Sequence, residues 1–395
     1  MTNTELEEMS APIRITELRP VLLSAVYPPG EELRWIGGTI KGWDAALVEV
    51  TLDDGTTGLG EAGAGIMAAM AVPGIVEAFR AYVIGTEFTH ALEVGPHLRA
   101  YTAFWARGGI ASGVAGAIEI AVLDAAAKRV GVPAYELLGG LTKARVEAYA
   151  SGGVGSTFGE VRQWIQQQLD HGFRTVKFRA MQDVDTTLAL LDEIVPSLPA
   201  NTRFVLDGVQ ASSSHPWSWN EALIVAERLE RAGARWFEEP CGADDIDGYA
   251  ALRAHTSVPI SGIESSSRTQ DFERLFAAGA ADIAQPDATF VGGISAFHAV
   301  ADAAARAEID VVPHVWGSGV TLMANLHATL SHDQVRLFEF CRLPNPLREE
   351  LLLEPIDIDA DGFIAAPSAI GLGVRLTPEI EHRFSYDQAS GHVIR

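Results

Sequence analysis

Cysteine, lysine and positive charge are what this chain has least of. Two cysteines in 395 residues, Cys241 and Cys341, supply neither a disulfide framework nor a thiolate zinc cluster, and they suit a reducing cytoplasm. Lysine occurs only at Lys41, Lys128, Lys143 and Lys177, within a basic total of 29. Against those 29 stand 52 acidic side chains, a formal net charge of −23. Such a chain has no basic face for nucleic acid or anionic membrane. No uninterrupted apolar run reaches the roughly 18 residues of a membrane span. The longest, 109–127, contains Glu119 and Asp124. The opening MTNTELEEMS is acidic and lacks the basic-then-apolar order of a secretion signal. A soluble cytoplasmic chain with a small-molecule partner is the expectation.

With 48% hydrophobic and 21% charged residues, what is present can fill a large core. Residues 13–62 carry β-rich patterning, with Asp54-Gly55 as the turn between two extended runs. Between them 26–38, rich in Pro and Gly, reads as a surface loop holding Tyr27, Arg34 and Trp35. Residues 73–139 become Ala-rich with helical spacing. From about 145 short apolar runs alternate with amphipathic segments at 157–171, 185–194, 217–232, 268–279 and 294–307. Parallel strands need such crossovers. Polar residues at the ends of successive runs, Lys177, Asp207, Glu238, Glu264, Asp287, His314 and Glu339, recur every 23 to 31 residues. The pattern predicts an α/β fold: a (β/α)8 TIM-type barrel over 141–354, with an α+β capping domain over 1–140 completed by the tail, 355–395. No glycine-rich dinucleotide fingerprint follows the first strand.

The C-terminal ends of barrel strands share one face, where active sites form. Asp207, Glu238 and Glu264 on consecutive strands offer hard oxygen ligands suited to Mg²⁺ or Mn²⁺ rather than zinc. Any one of them read alone is an ordinary helix cap. Asp287 and His314 end the sixth and seventh strands; a carboxylate beside an imidazole fixes its tautomer and makes an acid or base near neutral pH. Lys177 sits in an apolar strand, VKF, in a chain that rarely uses lysine.

These residues lie in the motifs VKFRA, VLDG, WFEEP, GIE, QPDATFVGG and VPHVWGSG, in that order. So arranged, the chain resembles the mandelate racemase/muconate lactonizing enzyme branch of the enolase superfamily, and the resemblance runs from the first domain through GVPAYELLGG to the tail. It implies an essential Mg²⁺ on Asp207, Glu238 and Glu264, and an Asp287–His314 acid/base pair. It also implies that Glu339 hydrogen-bonds a substrate carboxylate oxygen, and that the chain forms a homo-oligomer. Two positions depart from the family pattern. Where many members have Lys-x-Lys, this chain has Lys177-Phe178-Arg179, and an arginine is no base at physiological pH. Where the family often reads Asp-Ala-Asn, this chain has Asp207-Gly208-Val209, without the polar asparagine.

The function expected from these residues is removal of the proton α to a carboxylate. β-Elimination then follows on a sugar acid (dehydratase) or a sugar-acid lactone (cycloisomerase). A divalent cation with Lys177 and Arg179 would offset the dianionic charge. Racemisation or epimerisation of a 2-hydroxy acid is the alternative. A non-catalytic barrel serving binding or assembly is the reading from another class, and Schiff-base chemistry on Lys177 a further one. Substrate contacts are expected from Tyr27, Arg34, Trp35 and Trp316, with specificity in loops near 24–38 and 62–70.

Overall fold

A computed structural model describes residues 12–35, 38–387 and 393–394, the side chains of Trp35, Val393 and Ile394 excepted. The acidic opening segment lies outside the described residues. Ile13–Val26 pairs antiparallel with Gly42–Leu52, which pairs with Thr57–Glu61. The link is the expected turn at Asp54-Gly55, closed by Leu52 N–H donating to Gly55's neighbour and by Gly55 at φ 86°. Part of 26–38 departs from the open loop expected of it: Leu33–Trp35 and Gly38–Ile40 form an antiparallel hairpin.

The helical stretch resolves into Val72–Val83, Val94–Tyr101 and Ile110–Val130. Two stretches, Gly65–Val83 and Ile110–Val130, are long and apolar enough to cross a membrane by length and composition. Ile110–Val130 is here a core helix, buried along nearly all of its length. It lies so close to Thr57–Glu61 that a Cβ at Gly58 or Gly60 would overlap the carbonyls of Ala121 and Ala117. Its two acids are internal ties. Asp124 accepts from Leu59 N (2.9 Å), Leu372 N (2.7 Å) and Lys128 Nζ (2.7 Å). Glu119 accepts from Ser295 N and Oγ at 2.8 and 2.5 Å. Burial lifts the Glu119 carboxyl to about 7 despite those bonds.

Eight parallel strands follow: Arg145–Ser151, Thr175–Arg179, Arg203–Asp207, Phe237–Glu238, Ile260–Gly262, Ile283–Ala284, Asp310–Val311 and Leu337–Cys341. They pair in sequence order, and the eighth returns to the first. A parallel bridge between Val311 and Val335 joins seventh to eighth and closes the barrel. The five expected helices occur as Phe158–Asp170, Val184–Ile194, Trp219–Ala232, Thr269–Ala277 and Ile294–Arg306. Capping boxes at Thr157/Glu160 and Ser218/Glu221 start the first and third. Two further crossover helices, Ile246–His255 and Gly319–Leu330, complete the set. In the tail, Phe363–Ala365 pairs with the first barrel strand. Beyond it Ser385 bridges Leu23, Ser24 N–H donates to Phe384 O, and Val393–Ile394 pairs with Gly38–Thr39.

Candidate active site

Strand register assembles the site. Arg179 is the lateral neighbour of Asp207, Asp207 of Glu238, and Glu238 of Ser261. In a parallel sheet, lateral neighbours project to the same face at one level. Arg179 Nη1 lies 2.7 Å from Asp207 Oδ2. Lys177 Nζ contacts Glu238 Oε1, lies 2.7 Å from Glu339 Oε1 and 3.9 Å from Asp207 Oδ2. Trp236 Nε1 donates to the other Glu238 oxygen at 3.0 Å. Lys177, Asp207, Glu238, Glu339 and Asp287 are fully buried.

Burial dominates their titration. It raises Asp207, Glu238 and Glu264 above the usual carboxylate range, against the pull of Arg179, Lys177 and His314. Glu239, also buried, is raised furthest, by burial and the facing charges of Glu264 and Asp207. Glu339 differs: burial would raise it, but Lys177 and His314 hold it at about 2. Lys177 is pushed well above its ordinary value because the surrounding carboxylates outweigh its burial.

Backbone strain gathers at the same strand ends. Among the described residues, four non-glycine residues have positive φ: Val209, Glu239, Ile263 and Glu308. The first three lie within two positions of Asp207, Glu238 and Glu264. Strain of this kind costs free energy and concentrates where function demands a particular side-chain direction.

Asp287 and His314 meet as expected, with Nδ1 2.9 Å from Oδ2. The other Asp287 oxygen accepts from Thr289 N (2.8 Å), Thr289 Oγ1 (2.7 Å) and Asn325 Nδ2 (3.0 Å). This fixes the carboxylate, and with it the imidazole. His314 Nε2 faces Glu264 Oε1 at 3.5 Å. Burial lowers the His314 pKa, but Glu264, Asp287 and Glu339 outweigh it and lift the ring to about 9.

A cavity of about 380 Å³ opens at this end of the barrel, lined by Arg179, Glu264, His314 and Trp316. Gly63, Ala64, Ile66, Met67 and Ala68 of the first domain also line it. Of the two loops expected to set specificity, 62–70 reaches the cavity, whereas no described residue of 24–38 is among its walls. Tyr27 is used elsewhere: its hydroxyl donates to Pro344 O and accepts from Trp43 Nε1. Arg34 is exposed on the hairpin, and the Trp35 side chain lies outside the described residues. Trp316 contributes a ring face, with the Arg179 guanidinium 4.6 Å from its centroid. Its Nε1 is engaged by Ser151 and Glu339. Glu339, expected to meet a substrate carboxylate, accepts here from Val315 N (2.6 Å) and Trp316 Nε1 (3.2 Å).

Several contributors escaped the sequence reading. Glu61 accepts from Ser318 Oγ (2.6 Å), Ser318 N (3.2 Å) and Thr321 N (3.0 Å), tying the first domain to the segment after His314. Nothing in GLGEAG marks it. Asn325 carried a usable signal, as an amide flanked by apolar residues in the helical stretch LMANL.

Among the described residues, no three His, Cys, Asp or Glu side chains converge as a ready metal shell. Asp207 and Glu238 turn to Arg179 and Lys177. The donor chemistry nevertheless fits a hard divalent cation: every candidate ligand is a carboxylate. Glu264 Oε2 is moreover buried without a hydrogen-bond partner.

A closed (β/α)8 barrel with an acid-rich mouth, an Asp–His pair and a covering α+β unit is the architecture of a barrel enzyme. The chain belongs to the mandelate racemase/muconate lactonizing enzyme family of the enolase superfamily. Residues 160–380 match its enolase C-terminal domain-like region and 32–139 its N-terminal domain. The chain is 30% identical over 345 residues to D-galactarolactone cycloisomerase of Agrobacterium fabrum, across 84% of this chain and 88% of that one. It is 30% identical over 355 residues to D-galactonate dehydratase of Xanthomonas euvesicatoria, across 85% and 90%. Its fold matches the crystal structure of 3,6-anhydro-D-galactonate cycloisomerase from Zobellia galactanivorans at TM-score 0.82 and 27% identity, covering 94% and 99% of the two chains.

Proposed function

We propose that this enzyme removes the proton α to the carboxylate of a sugar acid or sugar-acid lactone and completes the reaction by β-elimination. The observation that carries the reading is His314: an imidazole held by Asp287 and turned to a cavity it shares with Glu264 and Arg179. Its Nδ1–H donates to Asp287, so Nε2 is the nitrogen that exchanges a proton with substrate. Burial would lower the ring's pKa, but Glu264, Asp287 and Glu339 lift it to about 9, so the ring begins as an acid. It becomes a base when the charge of Glu264 is taken up.

Asp207, Glu238 and Glu264 would hold Mg²⁺ or Mn²⁺. When bound, such a cation offsets the negative charge that develops on the substrate carboxylate as the α-proton leaves. Arg179 adds a permanent positive charge on the cavity wall. In the step itself His314 Nε2 takes the α-proton, the C–H electron pair forms the new carbon–carbon double bond, and the β-oxygen departs with its bonding pair. His314 returns the proton to that oxygen. The leaving group is water from an acid, or the ring oxygen from a lactone, and the enol then becomes a 2-keto acid. Arg179, protonated at any physiological pH, supplies no second base for two-sided racemisation.

Proton NMR in D₂O tests this, with Mg²⁺ and a panel of hexonates, hexarates and their lactones beside His314→Ala. The expected result is α-proton exchange or a keto-deoxy product that needs both Mg²⁺ and His314. Undiminished turnover in His314→Ala would refute it.

A further inference from the structure

Two charged side chains of the first domain have no part in the proposed chemistry, yet both grip the segment that begins at Asp287. That segment is short. Asp287 caps the four-residue helix Ala288–Val291, its side chain accepting from Thr289 N–H. Gly292 and Gly293 follow at φ 109° and 104°. A single turn does not hold its own shape in water, and two left-handed glycines give its exit no preferred direction. Its position is therefore set from outside.

At the entry, Asn325 Oδ1 accepts from Ala288 N (2.9 Å). At the exit the ties come from the first domain. Arg99, on Val94–Tyr101, donates from Nη1 to Gly292 O (2.7 Å) and from Nη2 to Ser295 Oγ (3.2 Å). Glu119, fully buried on Ile110–Val130, accepts from both the N–H and the hydroxyl of Ser295. Hydrogen bonds with one charged partner are about twice as strong as neutral ones. The contact leaves no slack: a Cβ at Gly116 would overlap Gly293 N, and one at Gly293 would overlap Glu119 Oε1.

We infer that Glu119 and Arg99 are positioning residues for His314: from the first domain they fix the exit of the 288–293 turn, and through it the Asp287 carboxylate that aims the imidazole. The path is continuous. Thr289 N–H and hydroxyl bind one Asp287 oxygen while the other accepts from His314 Nδ1, so a displaced turn displaces the ring. Asp124 supplies the comparison. It is equally buried on the same helix, but its partners Leu59, Leu372 and Lys128 lie away from the turn. A role confined to joining the two domains would make the two acids alike. The effect on turnover rests on the proposed function, whereas the effect on the ring does not.

The test reads the His314 ring resonances by NMR on enzyme carrying isotope-labelled histidine, assigned with His314→Ala, beside kcat and KM for a sugar acid turned over with Mg²⁺. Glu119→Ala and Arg99→Ala should shift or broaden those resonances and lower kcat about tenfold or more, with KM within about threefold. Glu119→Gln, which still accepts from Ser295 N–H, should recover most of both. Asp124→Asn should lower the urea midpoint and leave the resonances and kcat as they are. If Glu119→Ala does not fold, Ser295→Ala gives the reading in its place and should move the resonances the same way. Unmoved resonances in the folded variant, or an Asp124→Asn that moves them equally, overturn the inference. Resonances that respond to Glu119 and Arg99 while no acid loses its α-proton uphold the positioning and overturn the proposed reaction instead.

Discussion

Replacing Glu61 isolates what joins the first domain to the segment after His314. Glu61 is 1% exposed and receives three hydrogen bonds, two of them from backbone N–H groups at the start of Gly319–Leu330. Glu61→Ala leaves the Ser318 and Thr321 N–H groups buried without an acceptor, at about 1–3 kcal/mol each. A total near 3 kcal/mol is the reasonable expectation once the vacated volume relaxes in part. Glu61→Gln should be far milder. Burial raises the Glu61 carboxyl above its ordinary value, so ionisation is disfavoured in the fold relative to the unfolded chain. The sign follows: this group stabilises fully below its unfolded pKa and loses that contribution as pH rises through its raised folded pKa. At neutral pH the amide therefore sacrifices an acceptor geometry, about 1 kcal/mol, but no favourable charge. Urea unfolding measures both variants. Since Ser318 lies four residues beyond His314, Glu61→Ala should also lower kcat about tenfold through misplacement of the ring. If Glu61→Ala unfolds at the wild-type midpoint, or if Glu61→Gln costs as much as alanine, the reasoning fails.

His298 and His327 are both lowered to about 4, chiefly by burial, so the unfolded chain binds more protons between that pH and 6.5. Stability should be full above about 6.5 and fall as pH drops through 4, by up to about 3 kcal/mol per histidine; urea midpoints that stay level from pH 7 to 4.5 would contradict this. Gly63 packs so closely that a Cβ would collide with the Phe290 ring and Thr289 Oγ1. Gly63→Ala should therefore shift the 63–68 turn and raise KM several-fold, with about 1–3 kcal/mol lost in unfolding, and an unchanged KM would show that the turn does not meet substrate. Glu264→Gln should weaken Mn²⁺ binding at least about tenfold when titrated by paramagnetic resonance, and undiminished affinity would remove Glu264 from the ligand set.

The barrel was legible because its sequence obeys one rule repeatedly: a short apolar run, a polar residue at its end, then an amphipathic helix. Where the rule weakens, so does the reading. Gly319–Leu330 is buried on every side, so it lacks the polar stripe that betrays a surface helix. Ile246–His255 is short and carries Gly248 in its first turn. The meeting of Asp287 with His314 could be read because each closes a strand. The roles of Glu61 and Tyr27 could not, since a contact between distant segments leaves no period in the chain. Tyr27 was expected at the substrate for being an aromatic in a loop, and its hydroxyl proves to pin Trp43 and Pro344 together.

The features that a stability argument would remove all stand at the same three strand ends. Asp207, Glu238 and Glu239 are buried and Glu264 is half-buried, all four with raised pKa values, while Lys177 and Arg179 are the cations among them. Val209, Glu239 and Ile263 hold left-handed backbone beside them. A fold selected only for stability would replace such carboxylates with apolar side chains and such residues with glycine or asparagine. Glu339 shows that the fold can satisfy a buried acid where it needs to: Lys177, Val315 N and Trp316 surround it, and it is held at about 2. The carboxylates nearer the mouth lack that degree of compensation, and Glu264 Oε2 has no hydrogen-bond partner among the described residues. The deficit of positive charge is thus local to the cavity side of the cluster. That is where a cation or a substrate proton would supply it, so the cost in stability falls on the residues to which the proposed reaction assigns the chemistry.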